Sequence, residues 1–170
     1  MNNGTEWSNS LKASFRSIPQ NVSLARIMVA GMLTESDLLL SELEEIKVAV
    51  SEAVSNAIIH GYGNNPDCKV NIEVHTSPEL LMIKICDEGV GIADIEQAMT
   101  PNYSQFEERM GLGFCFMQSF MDDVRVVSAE GEGTEITLCK RLNTVPQKKQ
   151  IEQEVQGGSS GFSDVDVMEA

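Results

Sequence analysis

Apolar and polar positions alternate through "KVNIEVH", where Val70, Ile72 and Val74 are separated by polar residues. A period of two is that of a strand with one buried face. After a turn at Ser77-Pro78, "LLMIKIC" is more apolar and predicts a second, more deeply buried strand. "LKASFRSIP" alternates loosely up to Pro19 and predicts a strand nearer the start of the chain. Between these the spacing changes to three and four. "NVSLARIMVAGMLTES" carries Leu24, Ile27, Met28 and Met32 as a helical stripe for core or interface, with Asn21 as a candidate cap. "SELEEI" has the spacing of a capping box from Ser41 to Glu44, opening a second helix that runs to Gly61. There "HGYGNNPD" supplies the glycine, asparagine and proline that stop it. Further on, "IADIEQAM" predicts a short helix and "GFCFMQSFM" another, whose Phe114, Met117, Phe120 and Met121 form a packing stripe. "VRVVSA" and "TEITLCKRL" predict strands on either side of a "GEG" turn. This mixed order predicts an α+β fold, a two-layer α/β sandwich with a mostly antiparallel sheet and helices on one face.

Composition narrows the class. The 170 residues, 42% of them hydrophobic, suit one domain with a real core, placed at residues 1–143. From about Thr144 the chain turns polar, with a Gly-Ser run, and residues 144–170 are predicted to be a disordered acidic tail. Twenty-six acidic residues against 12 basic ones leave a net charge of -14, which argues against general nucleic-acid or anionic-membrane binding. A small phosphate ligand stays possible, because amides, a metal ion and one arginine can hold it locally. The start of the chain has no basic segment followed by an apolar run, and no apolar stretch approaches ~18 residues. Cys68, Cys86, Cys115 and Cys139 are scattered without a C-x-x-C pair, as expected of buried, reduced thiols in a cytoplasmic protein.

Candidate chemistry gathers in four stretches. In "EIKVAVSEAVSNAIIHGY", Glu52 and Asn56 lie four apart on one helix face, with His60 toward the edge and Ala49, Ala53 and Ala57 beside them. The row could be solvated surface or could face a ligand. In "CDEGVGI" a strand ends on Asp87, placed to accept from an exocyclic amine, with Gly89 and Gly91 letting backbone approach a ring. In "ERMGLGF", Gly111 and Gly113 open a helix whose first amides suit an anion. In "GEGTEI", Gly133-Thr134 enters a strand. Singly, each of the last three is as well explained by an ordinary turn or helix start.

Their order is far more specific. E-x-x-x-N on a helix, D-x-G-x-G after a strand, G-x-G-F opening a helix and G-T entering a strand resemble the GHKL ATP-binding family of gyrase, histidine kinases and MutL. "VSEAVSNAIIHGY", "DEGVGI", "MGLGF" and "FMDDV" are most similar to its anti-sigma factor serine kinases, above all the anti-sigma F branch of spore-forming bacteria. The likeness covers roughly residues 11–142.

The resemblance implies a Mg-ATP-dependent serine/threonine protein kinase that holds a sporulation sigma factor of the sigma-F type. It would phosphorylate a serine on that factor's anti-anti-sigma antagonist. Glu52 would be the general base and Asn56 the Mg2+ ligand. Asp87 would accept from the adenine amine, Gly89 and Gly91 would shape the base pocket, and Thr134 would complete it. Gly111 and Gly113 would hold phosphate, Arg109 would reach the terminal phosphate from a lid, and Arg26 would touch protein partners. A cytoplasmic homodimer is implied as well, with no nucleic acid or membrane among its partners. The lid departs from the family pattern. "PNYSQFEERMG" is two residues shorter than usual, lacks the lysine and carries Met110 where a serine is customary. That departure motivates an alternative, a nucleotide-gated sigma-binding module with weak or no kinase activity. A stress-response kinase of the same family is a further option. A histidine kinase is disfavoured, since His60 and His75 sit in the motif helix and a strand rather than on a dimerisation helix.

Overall fold

The structure, a computed structural model, describes residues 6–100 and 112–142. Strands β1 (Asn9–Arg16), β2 (Lys69–Thr76), β3 (Leu80–Asp87), β4 (Asp123–Ser128) and β5 (Thr134–Arg141) form one sheet in the order β1-β2-β3-β5-β4. Every neighbouring pair is antiparallel. The helices are α1 (Gln20–Met32), α2 (Leu40–Asn56), α3 (Ile95–Ala98) and α4 (Gly113–Phe120).

Alternation decides which sheet face is covered. Ile72 and Val74 of β2 register with Ile85 and Ile83 of β3, which in turn face Ile136 and Leu138 of β5, so one buried face runs across the three strands. Ala25 and Val29 of α1, and Ile46, Ala49, Val50, Ala53 and Val54 of α2, pack onto it. Fully burying one Val, Leu or Ile contributes roughly 1.5–3 kcal/mol, so this shared core outweighs any single surface contact. The opposite face carries cross-strand ion pairs, Lys12–Glu73 at 2.7 Å and Lys84–Glu135 at 3.0 Å. Both are partly exposed, and such pairs add little stability each. The two-layer sandwich predicted from the pattern is the one observed.

Several local expectations need correction. Asn21 does not cap α1; its side-chain amide donates to the Arg16 carbonyl at 2.8 Å, and Pro19 occupies the cap. The α2 start lies before Ser41. Glu42 Oε2 accepts the Leu39 N–H at 2.9 Å, and Leu39 has no side-chain oxygen to reciprocate. On α1 the buried residues are Ala25 and Val29, while Leu24 and Ile27 are exposed. Met28 and Met32 of the expected stripe pack against the core edge, so only its Leu24 and Ile27 part turns away from the core. Ala49, Ala53 and Ala57 are buried and belong to the core. Their small size admits neighbouring protein rather than a ligand. The four thiols are free but only half-buried. Burial, with the Glu135 carboxylate nearby, still pushes Cys86 up to about 11, far from reactive.

Candidate functional site

At Asn56 the α2 helix widens into a π-turn, Ala57–Gly61, in which the Tyr62 N–H reaches back five residues to the Ala57 carbonyl at 3.0 Å. Such widenings recur at functional sites because they rotate the following residues without ending the helix. Here the turn separates two groups of side chains. Upstream, Glu52 and Asn56 are half-buried, on the side of α2 that meets α4. A β-carbon added to Gly113, the first residue of α4, would fall 2.9 Å from Glu52 Oε2 and 3.7 Å from Asn56 Oδ1. A carboxylate, an amide oxygen and the amide-rich start of a helix therefore converge, and only glycine leaves room between them.

Downstream, the π-turn runs against the end of β3. Asp87 is almost fully buried, and its carboxyl pKa is raised by that burial. Backbone N–H groups of Gly89 and Thr134 donate to it and hold part of the shift back; the Gly89 bond is 2.9 Å. A β-carbon on Gly61 would fall 2.6 Å from Asp87 Oδ1. One on Gly89 would run into the Gly61 carbonyl, which itself accepts the Val90 N–H at 3.0 Å. Gly91, at φ +69°, lies against the Ala129 carbonyl, and Gly133, at φ +78°, against that of Asp87. Both need the left-handed region as well as the space. Tyr62 ties the turn down: its hydroxyl donates to the Lys69 carbonyl at 2.6 Å and accepts the Glu88 N–H at 2.8 Å. Thr134 stands directly across from Asp87 in the β3–β5 register and is also buried. A cleft of about 430 Å³ opens at the rim of this group, lined by Ile92, Asp94, Glu96, Ser128 and Glu130.

Of the residues expected from the sequence, Glu52, Asn56 and Gly113 meet in one group, and Asp87, Gly89, Gly91 and Thr134 meet in the other. Arg109 and Gly111 lie outside the described residues, as do the remainder of the lid at residues 101–111 and the tail. Arg26 lines a separate groove with Ile27, Leu43 and Lys47 that includes none of the residues above. Its guanidinium bonds Ser23 Oγ at 3.0 Å and meets no carboxylate among the described residues. Tyr62 and Ser128 carry no expected role in the sequence, and Gly61 only that of a helix stop. Nothing local in the sequence marks Ser128.

Comparison with known proteins shows the family. The family model described as the histidine kinase-like ATPase domain matches residues 15–140. The chain is 43% identical over 139 residues to the anti-sigma F factor of Clostridium novyi, covering 81% of this chain and 97% of that protein. It is 44% identical over 137 residues to the anti-sigma F factor of Bacillus subtilis, covering 79% and 94% respectively. A crystal structure of the RsbU and RsbW domains of a Mycobacterium tuberculosis protein superposes with a TM-score of 0.54 at 21% identity. That superposition covers 79% of this chain and 32% of the larger one, and bears on the fold alone. Matched over almost the whole length of these relatives, and by the family model over residues 15–140, the chain belongs to the anti-sigma F factor family within the histidine kinase-like ATPase domain proteins.

Proposed function

We propose that this chain is an ATP-dependent anti-sigma factor that restrains a sigma factor of the sigma-F type and phosphorylates a serine on its anti-anti-sigma antagonist. The observation that carries the proposal is the convergence of Glu52, Asn56 and the α4 start at Gly113. Phosphoryl transfer asks mainly for positioning and charge neutralisation, and those three elements supply a base, a hard-oxygen ligand and an anion cradle. In the proposed reaction the partner's serine oxygen attacks the terminal phosphorus while its proton passes to Glu52. The bond from that phosphorus to the bridging oxygen breaks, releasing ADP. Asp87 accepts from the adenine amine, Thr134 lies beside it, and Gly89 and Gly91 keep the loop flat against the base. Asn56 suits Mg2+, which takes oxygen ligands and keeps several waters, so that one amide oxygen beside the phosphates is a sufficient protein contribution. When bound, the ion would screen the phosphate charge. Gly111 and Arg109 are assigned to the phosphates, and Arg26, in its own groove on α1, to protein partners. By family likeness the protein acts as a cytoplasmic homodimer.

The test is transfer of label from terminally labelled ATP, with Mg2+, to the anti-anti-sigma protein of the same organism. Wild type is expected to label a serine. Glu52→Gln is expected to lose transfer by at least about a hundredfold, the usual scale of a general base, while still binding ATP. The lysine-free lid favours one other reading, a nucleotide-gated clamp. ATP-dependent sigma binding by wild type, without transfer to any anti-anti-sigma partner, would establish that reading instead.

A further inference from the structure

We infer that Ser128 is a positioning residue for base recognition, fixing the Thr134 hydroxyl as an acceptor so that the pocket prefers an amino edge. This rests on the ATP-binding reading above. Ser128 ends β4 and pairs with Thr134 at the start of β5. Its hydroxyl has three partners: it lies 2.6 Å from the Gly133 carbonyl, 2.8 Å from the Ile92 N–H and 3.0 Å from Thr134 Oγ1. Proton counting leaves one arrangement. A serine hydroxyl carries one proton and two acceptor positions. A carbonyl cannot donate, so the proton goes to Gly133. An N–H cannot accept, so Ile92 takes one acceptor position. The second is left for Thr134, whose hydroxyl must therefore be the donor. With its only proton committed to Ser128, Thr134 Oγ1 offers nothing but acceptor capacity to a ligand.

Asp87, directly across from Thr134, is acceptor-only when ionised. The two residues thus present acceptors together. An exocyclic amine satisfies such a pair, and an exocyclic carbonyl does not. Adenine carries an amine where guanine carries a carbonyl, so the Ser128–Thr134 contact supplies discrimination at one remove from the base. The same hydroxyl anchors the loop after Gly91 through Ile92, and Ser128 itself lines the cleft at the rim of the base group. Removing it frees Thr134 to turn and donate, which suits the wrong base.

The experiment is calorimetric titration of the full chain with ATP and with GTP, in the presence of Mg2+, for wild type, Ser128→Ala and Ser128→Thr. Near-UV circular dichroism would check that each variant is folded. Ser128→Ala is expected to weaken ATP binding by about tenfold, the scale of one lost buried hydrogen-bond partner, and to narrow the ATP/GTP ratio. Ser128→Thr keeps the hydroxyl and is expected to restore both. A folded Ser128→Ala protein with unchanged affinity and an unchanged ratio would overturn the inference and leave the ATP-binding reading intact. The inference would also fall if Ser128→Ala lost only thermal stability, or if ATP and GTP weakened equally. Wild type that binds no ATP would sink the nucleotide reading and this one with it.

Discussion

Asp87, proposed above to meet the adenine amine, works against the stability of its own fold. Burial raises its pKa, so the folded state disfavours the charged form relative to the unfolded chain. For a carboxyl with a raised folded-state pKa, the unfavourable contribution is complete above the folded value. It disappears as pH falls through that value toward the ordinary one, about 3.9. Asp87→Asn removes the titration but keeps one oxygen for the Gly89 and Thr134 amides. The stability of the ligand-free variant relative to wild type should therefore decline as pH falls from 7 to below about 4, which thermal unfolding across that range would show. The same variant should bind ATP poorly, since an amide cannot be relied on to present its oxygen to the adenine amine. Surface pairs such as Lys12–Glu73 behave differently. The Lys12 ammonium lowers the Glu73 pKa, but both side chains are too exposed for the pair to weigh much in stability.

Among the elements, the π-turn and the loop after β3 act as one unit. The Tyr62 hydroxyl, the Gly61 carbonyl and the Asp87 carboxylate each receive an N–H from residues 88–90. The loop's shape is thereby copied from the end of the helix that carries Glu52 and Asn56. Two glycines separate close approach from mere presence. Gly89 has the Gly61 backbone where its side chain would go, whereas Gly31, inside α1, has open space around that position. Gly89→Ala should destabilise the protein by about 1–3 kcal/mol through forced backbone displacement. Gly31→Ala should be neutral or stabilising by up to about 1 kcal/mol, because alanine is the better helix former. Urea unfolding of the two variants beside wild type would read both signs.

At the scale of the whole molecule, nucleotide would bridge two groups that different parts of the fold hold in place. The Glu52–Asn56–Gly113 group depends on α2 lying against α4, and the Asp87–Thr134 group on β3 lying beside β5. A ligand spanning both stabilises the folded state by mass action, about 2.7 kcal/mol at a hundred times its dissociation constant. ATP should therefore raise the midpoint of thermal unfolding, and chelating Mg2+ should remove much of that rise if Asn56 holds the ion. The strongly acidic chain makes the same point from another side. With a net charge of -14, any anionic ligand must be held by local donors against the general field, so its binding should lean heavily on the cation.

The sequence by itself determined the sandwich and most of its elements. Period-two stretches have only one way to bury Val70, Ile72 and Val74, and the order of strands and helices leaves few alternatives for layering. Singly, the stretches around Asp87, Gly89, Gly113 and Thr134 read as ordinary turns and helix starts, and it was their order along the chain after Glu52 and Asn56 that made them candidates. Local pattern failed where partners are distant. Asn21 had a capping residue's identity, yet a carbonyl of β1 competed successfully for its amide. The alanines beside Glu52 belonged to the core, since which side of a helix faces inward depends on what packs against it. Tertiary structure alone brought Ser128 to Thr134 and Ile92, set Gly61 beneath the Asp87 carboxylate and separated Arg26 from the site. Each of these contacts joins residues whose neighbours in sequence carry no trace of the other, and only strand pairing or helix packing puts them within reach.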